Sequence, residues 1–495
     1  MAETRSSHGL ARSAIGLREV LFQSITHMAP AAAVAFSIIV GAPFAGGSLP
    51  LGVLLALVAC LFVASSIGQL AKHLPSAGGF ATYTTRGLHP SVGFLVAWLY
   101  ALAEAFVAPL LFLIFGNVVA STLKVEFGWP YSPWWWISVL VIAVVVFLLG
   151  WFGIRVSAGA GTILGVFEIL VFAVLAIWLI FAAGGNNTLS VFGTGLATSE
   201  GFEGLNGVFA GSIYCILAFI GFEAAAPLAE EARDPRRTIG RAVIYSALLI
   251  GLFYVLTTYA AVVYFGPDKF GEFNTFGNGD PWQGLARAVW GGAWVLVFLA
   301  VVNSAIANAN AGANATTRTW YSLGRIRLLP AAFATIDRGT STPRVAVLAQ
   351  FIFGLAAALI LGAVYEPLPA FSLMATILVP SVILIYIAVN LACVGYYARY
   401  ARAERSWLLH VLLPILGVLA FLPALLTALG VHNLLGLKLS FISALSPPLS
   451  YAGPIVGIWL LVGIVYLLIL MRRDPARVRQ TGEVFLDSEP VEVRG

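Results

Sequence analysis

The sequence carries very little charge for its length. Only 10% of its 495 residues are Asp, Glu, Lys or Arg, whereas 60% are hydrophobic, and the mean hydropathy is +0.94. A chain of this composition has more apolar side chains than a water-soluble core can bury. These proportions exclude a soluble globular protein and indicate a polytopic membrane protein.

Cysteines and catalytic motifs are also scarce. The three cysteines, Cys60, Cys215 and Cys393, lie in apolar stretches at no metal-ligand spacing, so we interpret them as small buried apolar residues. The sequence has no His-Glu-x-x-His segment, no Ser/His/Asp set and no cluster of metal ligands. We therefore expect no metal, no cofactor and no catalytic residue, which disfavours a membrane-embedded enzyme. A channel or sensor is disfavoured because we find neither a repeated pore-lining filter nor an appended soluble domain.

Long apolar segments make up most of the chain. A spanning helix needs about 20 mostly apolar residues, and short polar or Gly/Pro-marked turns separate twelve such segments. No strand pattern of barrel type occurs, so the sequence predicts an all-α fold. The predicted spans are Leu21 to Gly46, Leu49 to Ala71, Ser91 to Ser121, Trp134 to Phe152, Ser157 to Ala183, Leu205 to Ala229, Ala242 to Phe265, Ala293 to Thr316, Arg344 to Val364, Pro369 to Tyr396, Trp407 to Leu429 and Tyr451 to Met471.

Lys and Arg residues predict the orientation, because cytoplasmic loops carry an excess of them. With a cytoplasmic N-terminus, all but four of the 27 basic residues lie inside; the exceptions are Lys124, Lys269, Arg287 and Lys438. We therefore expect both termini in the cytoplasm of a bacterial-type cell, with the protein in the cytoplasmic membrane. Residues 1–17 and 472–495 are polar and are predicted to be flexible cytoplasmic arms. The basic clusters set topology, with anionic lipid binding as a minor alternative.

Three acidic residues lie inside predicted spans, namely Glu104, Glu168 and Glu223. A charged group at the bilayer centre costs on the order of 2.5–3.5 kcal/mol even on insertion scales, so these side chains should face the bundle interior or a wet cavity. Each could carry a proton, bond to freed backbone groups or meet a cation. The alternative is a protonated carboxyl that only satisfies a neighbouring helix.

Two spans contain helix-breaking residues inside their apolar runs. Span one contains "THMAPAAAVAFS" with Pro30, and span six contains "AFIGFEAAAP" with Gly221 and Pro227. Irregular backbone at membrane depth survives only where it lines a cavity or is buried in protein. Spans one and six correspond if helices 1–5 and 6–10 are inverted repeats, and paired interruptions of this kind point to the binding site of a transporter.

Three longer motifs occur in order along the chain. They are "LPSAGGFATYTTRGL" (Leu74 to Leu88) after span two, "FIGFEAAAPLAEEARDPRRTIGRA" in span six and its exit loop, and "NSAIANANAGANATTRTWYSLGRIRLLP" (Asn303 to Pro330) in span eight. Together they resemble the amino acid-polyamine-organocation superfamily of permeases, over roughly Leu17 to Met471. The resemblance implies a LeuT-like fold of inverted five-helix repeats that works by alternating access.

The same resemblance divides the membrane part of the chain into two regions. Residues 18–396 are the expected transport core of spans one to ten, with inverted repeats at about 18–183 and 205–396. Residues 397–471 are expected to form the two peripheral helices, spans eleven and twelve.

The resemblance also implies where substrate binds. In the family, the broken sixth helix offers backbone groups and a neighbouring aromatic to the substrate, and Glu223 would lie behind this break on the cytoplasmic side. The expected lining residues are Ala31, Ala32, Ala33, Phe219, Ile220, Gly221 and Phe222. Many relatives carry a glycine-containing break in span one where this chain has "MAPAAAVAFS", so an amine or another small metabolite stays open beside an amino acid.

Span eight adds a row of amides. Asn303, Asn310 and Asn314 have a spacing that places them on one helical stripe, which we expect to face the bundle interior. They are interpreted as interhelical hydrogen-bonding residues, with cavity lining as the alternative.

Glu168 departs from the family pattern. It lies in "GIRVSAGAGTILGVFEILVF", where some proton-coupled relatives carry a span-five lysine between spans one and eight. Ionised, this carboxylate could help to bind sodium; protonated, it could donate a hydrogen bond to a span-one carbonyl. We expect it to couple transport to protons, with sodium binding and a purely structural role as alternatives.

The sequence therefore predicts a secondary active transporter of amino acids or related amines, acting as a proton-coupled importer. An exchanger of amines, polyamines or other small metabolites with the same fold is the alternative. Gating and coupling are assigned to Glu223, Glu168 and Glu104. The expected partners are a small-molecule substrate, a proton and the lipid bilayer, with no nucleic acid, and the oligomeric state stays open.

Overall fold

The structure is a computed structural model that describes residues 16–74, 79–153, 158–228, 232–325, 327–337, 339–340, 342–434 and 437–480. The predicted all-α class is confirmed, because almost all of the described chain is helical. A two-residue antiparallel pairing of β1 (Asn433–Leu434) with β2 (Leu437–Lys438) interrupts the helices.

The α-helices of the described residues run in the following order. They are α1 (Leu17–His27), α2 (Pro30–Ala32), α3 (Ala42–Ala45), α4 (Leu49–Ala71), α5 (Gly79–Gly87), α6 (Pro90–Phe127), α7 (Tyr131–Phe152), α8 (Ala158–Ala183), α9 (Leu205–Phe219), α10 (Pro235–Phe265), α11 (Phe276–Gly279), α12 (Pro281–Trp290), α13 (Val295–Arg325), α14 (Arg344–Tyr365), α15 (Pro367–Arg399), α16 (Leu413–Ala428), α17 (Ala452–Arg473) and α18 (Pro475–Gln480). Short 3₁₀ or π-helical turns join many of them. The C-terminal helices extend into the predicted flexible tail, while residues 1–15 and 481–495 lie outside the described residues.

Eleven helical stretches of the described chain are long and apolar enough to cross a membrane, so the protein is a multi-pass membrane protein. The predicted count of twelve is not itself confirmed. One stretch, Leu17–Ala71, covers the first two predicted spans in 55 residues. A straight helix of that length would measure about 80 Å, far more than the ~30 Å hydrocarbon core of a bilayer. The stretch is instead interrupted at Ala29 and at Gly46, which both have positive φ.

Span one is broken after α1, as Pro30 predicts. Ala29 lies in the left-handed region (φ 46°, ψ 65°), because a proline disfavours the right-handed helical conformation for the residue before it. The chain resumes as α2 and continues as π-helical backbone over Ala33–Ser37. The regular helical hydrogen bonds are therefore missing at the end of α1.

Span six is broken after α9. Ile220 is extended (φ −57°, ψ 127°), Gly221 has φ 115°, and the chain continues as a 3₁₀ helix over Phe222–Leu228. Glycine adopts this positive φ without the steric cost that a side chain would add. Both predicted breaks are thus confirmed.

The two breaks lie against each other inside the helix bundle. A Cβ atom added to Gly221 would lie 2.7 Å from Cδ2 of His27 and 2.8 Å from its carbonyl oxygen. Around this contact, α1 packs on α10, α9 packs on α4, and α6 packs on α13 and α15. Gly221 is therefore needed for the approach of the two chain segments.

Gly87 offers a test of this close packing at another place, where α5 meets α15. A Cβ atom there would lie 2.3 Å from the Ala392 carbonyl oxygen and 2.7 Å from its Cα. Because overpacking a tight contact costs about 1–3 kcal/mol, we expect Gly87→Ala to lower the unfolding temperature of the purified protein by several degrees. Gly161→Ala is the matched control, since its Cβ would meet nothing within 4 Å. Equal stability of the two variants would contradict the described packing.

Candidate functional site

A buried cavity of about 40 Å³ lies where the two breaks meet. This volume has room for a few water molecules and is far below the roughly 300–1,000 Å³ of common ligand pockets. A substrate therefore needs the surrounding helices to separate. The lining residues are His27, Met28, Ala29, Ala32, Ala33, Ser37, Val107, Leu110, Leu111, Ile114, Leu217, Ala218, Ile220, Asn308, Phe371 and Leu378.

Three of the seven predicted substrate-binding residues line this cavity, namely Ala32, Ala33 and Ile220. The other four are fully buried next to it. Their surroundings differ: the Ala31 amide meets Glu168, Gly221 packs on His27, Phe219 packs edge-to-face on Tyr254, and Phe222 packs on Tyr386. Substrate contact by any of the seven stays a prediction.

Asn308 on α13 is a polar lining residue that the sequence analysis missed. Its amide oxygen is buried and has no hydrogen-bond partner among the described residues. The predicted stripe was wrong, because Asn314 is exposed and donates to Asn310 rather than facing the interior. Gly312, one turn after Asn308, could have identified the interior face of α13, since glycine marks close helix approach in membranes. A Cβ at Gly312 would lie 2.3 Å from a methyl carbon of Val107 on α6.

Tyr254 on α10 joins the two breaks. Its hydroxyl oxygen lies 3.0 Å from the Met28 carbonyl oxygen and 3.0 Å from the Ala218 carbonyl oxygen. The phenol has a single proton, so the two carbonyls share one donor. Both carbonyls belong to helix ends that have lost their regular partner four residues onward. Tyr254 therefore supplies a hydrogen bond that the broken backbone needs.

Glu168 on α8 accepts a hydrogen bond from a backbone amide at the first break. The Ala31 amide donates to Oε2 of Glu168 at 3.4 Å, and Ser304 of α13 lies beside the same carboxylate. Pro30 has no N–H, so Ala31 carries the first amide after the break. The carboxylate thus lies between spans one and eight, and it accepts from a span-one amide instead of donating to a span-one carbonyl.

Glu223 accepts a hydrogen bond from a backbone amide at the second break. The Gly221 amide donates to Oε2 of Glu223 at 3.0 Å, and the Tyr386 hydroxyl donates to Oε1 at 3.0 Å. Because Tyr386 belongs to α15, the carboxylate links the break in span six to a neighbouring helix. Both of its oxygens are used as acceptors.

Glu104 on α6 lies near Glu223 rather than near Glu168. Its side chain is buried, with 3% of its surface exposed, and interacts with Tyr100 and electrostatically with Glu223. Its Oε2 atom has no hydrogen-bond partner among the described residues. The three intramembrane acids therefore form two separate groups, with Glu104 and Glu223 in one and Glu168 in the other. Within the described ranges, no group of three or more His, Cys, Asp or Glu side chains could hold a metal ion.

Comparison with known proteins identifies the family. A model described as "Amino acid permease" matches residues 19–471. The chain belongs to the amino acid permease family. It is therefore a membrane transporter and not an enzyme, and the resemblance drawn from its three motifs is confirmed.

Curated relatives of this permease carry several different names. It is 28% identical over 337 residues to the low-affinity putrescine importer PlaP of Escherichia coli (strain K12). The aligned region covers 65% of this chain and 69% of PlaP. It is 28% identical over 280 residues to the histidine permease HisP of Lactococcus lactis subsp. cremoris, covering 55% of this chain and 57% of HisP. The lysine-specific permease LysP of the same organism is 27% identical over 300 residues, covering 58% of this chain and 57% of LysP.

The role of Tyr254 in the permease can be tested by removing its hydroxyl alone. Tyr254→Phe keeps the ring against Phe219 but leaves two buried carbonyls without their donor, a loss of about 1–3 kcal/mol. We expect a lower unfolding temperature and weaker substrate binding. Tyr259→Phe, on the same helix, is the matched control because its hydroxyl donates to Asn187 at an exposed position. Indistinguishable unfolding of the two variants would show that Tyr254 does not hold the breaks.

Proposed function

We propose that this permease is a secondary active transporter of amino acids or related amines in the cell membrane, and that substrate binds between the two helix breaks. The observation that carries this proposal is that both breaks meet around one buried cavity. Backbone that is irregular at membrane depth is expected where a transporter holds its cargo. The relatives are named for putrescine, histidine and lysine, which all contain an amino group.

The polar groups around the cavity favour the amino group of such a substrate. Amides at both breaks already donate to carboxylates of the protein, Ala31 to Glu168 and Gly221 to Glu223. The amide oxygen of Asn308 on the cavity wall is an acceptor that has no partner among the described residues. The cavity is also lined by the C-terminal ends of α1 and α9, where the helix dipole is negative and favours cations. We therefore infer that an ammonium group is recognised before a carboxylate.

The same proposal includes the arrangement of the chain in the membrane. The broken segments α1–α2 and α9 with Phe222–Leu228 occupy corresponding places in two five-span halves, which supports inverted repeats at about 18–183 and 205–396. The excess of Lys and Arg on one side supports cytoplasmic termini. Alternating access would then expose the cavity to each side of the membrane in turn.

Ligand binding by the purified protein tests the proposed function. Thermal unfolding would be followed with putrescine, lysine, alanine and propionate, because a ligand that binds only the folded state raises its stability. We expect stabilisation by the amines and none by propionate, which has a carboxylate only. Asn308→Ala should weaken amine binding at least tenfold, about 1.4 kcal/mol, whereas Asn314→Ala, an exposed position on the same helix, should not. Stabilisation by propionate, or full affinity of Asn308→Ala, would contradict this assignment.

We further propose that Glu168 couples transport to protons. The carboxylate contacts the first amide after the break, so a change in its protonation alters a hydrogen bond at the substrate site. Glutamine keeps an oxygen that can accept from Ala31, but it cannot take up a proton. The coupling function can therefore be removed while the local structure is kept.

The test is uptake into proteoliposomes driven by a pH gradient. We expect Glu168→Gln to keep exchange of substrate across the membrane and to lose accumulation against a concentration gradient. Glu200→Gln, an acid at an exposed loop position, should accumulate substrate like the wild type. Full accumulation by Glu168→Gln would exclude this residue as the coupling group, and a sodium requirement in the wild type would favour cation binding instead.

A further inference from the structure

A second, larger cavity of about 640 Å³ lies between the end of α4 and the start of α10. Its charged wall combines residues from three separate parts of the sequence. These are Lys72 and His73 after α4, Arg236, Arg237 and Arg241 at the start of α10, and Glu404 after α15. The predicted cytoplasmic loops thus bring their basic residues together around one space.

The positive charge of this cavity is only partly neutralised by the protein. Glu404 is the single acid among the described residues of the wall, and its Oε2 atom lies 3.1 Å from Nε2 of His73. Lys72 donates to the neutral side chain of Gln69 at 2.7 Å. Arg237 has a loose contact with Asp234 at 3.8 Å, in which both side chains are largely exposed. Among the described lining residues, fixed positive charge therefore exceeds negative charge, and an anion would be attracted into the space.

Arg236 and Arg241 are the strongest candidates to hold that anion. Both are exposed and have no ion-pair partner within the described part of the chain. They lie in the first turns of the 31-residue helix α10, where the helix dipole adds partial positive charge. A guanidinium group presents paired N–H donors that match the oxygens of a phosphate.

The shape of the site indicates a lipid as the source of the phosphate. Tyr245, at the edge of the cavity, has 47% of its surface exposed. Below it on α10, Leu248, Leu249 and Leu252 also expose their side chains. An apolar strip therefore runs from the charged cavity along the lipid-facing side of the helix, as the acyl chains of a bound phospholipid require. A free phosphate ion would make no use of this strip.

We propose that this cavity binds the phosphate group of an anionic phospholipid, whose acyl chains lie along the exposed leucines of α10. Basic pockets between membrane helices bind anionic headgroups in this manner. The lipid would contact α4 and α10 together. These helices approach closely at Gly68 and Gly240, where a Cβ on Gly68 would lie 3.3 Å from the Gly240 Cα.

Binding to the purified full-length protein tests the proposal. Native mass spectrometry and thermal unfolding would be measured with phosphatidylglycerol, with phosphatidylcholine and with inorganic phosphate. We expect phosphatidylglycerol to bind and stabilise the protein more than the other two. The Arg236→Gln, Arg241→Gln double variant should bind it at least tenfold more weakly. Each basic residue near an anionic lipid raises the binding affinity by a factor of somewhat under about ten, and the variant lacks two of them.

A matched double variant separates the cavity from general surface charge. Arg472→Gln with Arg473→Gln removes two exposed charges at the end of α17, on the same predicted side of the membrane, and should keep wild-type lipid binding. Lys72→Gln is a second cavity variant and should also bind less lipid. Equal loss in the α17 control, or wild-type binding by both cavity variants, would overturn the proposal. Stabilisation by inorganic phosphate to the same extent would overturn the lipid assignment. Amine binding should be unchanged in the cavity variants, so this test is independent of the transport assay.

Discussion

The structure depends on how the backbone groups freed by two broken helices are satisfied inside a membrane. No water is available in the hydrocarbon core, and each unpaired amide or carbonyl there costs several kcal/mol. At the two breaks, carbonyls of Met28 and Ala218 share the Tyr254 hydroxyl, while amides of Ala31 and Gly221 donate to Glu168 and Glu223. Further out, the Trp282 indole donates to the carbonyl of Val34 in the π-helical part of span one. Two of the three intramembrane acids and two buried aromatics, Tyr254 and Trp282, are therefore the partners of this irregular backbone.

This solution also determines the chemistry left to a substrate. Because backbone amides at the breaks already donate to carboxylates of the protein, fewer donors are available to a substrate carboxylate than at a glycine-rich break. Carbonyl ends of helices and the amide of Asn308 remain. This balance of acceptors over donors is the physical reason for the proposal that the site recognises a cation.

The sequence was sufficient for features that depend on local backbone chemistry. Pro30 and Gly221 interrupt apolar runs in two corresponding spans, so both breaks could be predicted, although Pro109 and Pro380 lie inside continuous helices. Glu168 could be placed in the interior because an intramembrane acid avoids lipid, and its place between spans one and eight followed from the resemblance to proton-coupled relatives. Tyr254 could not be assigned, since α10 carries many polar and aromatic side chains and its partners, Met28 and Ala218, lie in two other spans. Asn308 could not be assigned, since it is one of several amides along α13. Spacing selected the row with Asn310 and Asn314 as the interior face of span eight. The interior face is instead the one with Gly312, which packs closely on α6.

The contacts at the breaks also connect the proposed substrate site with the rest of the permease. Gly221 packs directly on His27, so the two breaks are in contact. Tyr254 belongs to α10, and Tyr386, which holds Glu223, belongs to α15. Separation of the breaks to admit a substrate must therefore break or stretch bonds to both helices. Arg241 lies on α10 about 20 Å from Tyr254, as 1.5 Å per residue implies, so the proposed headgroup site and the helix breaks share this helix without sharing a contact.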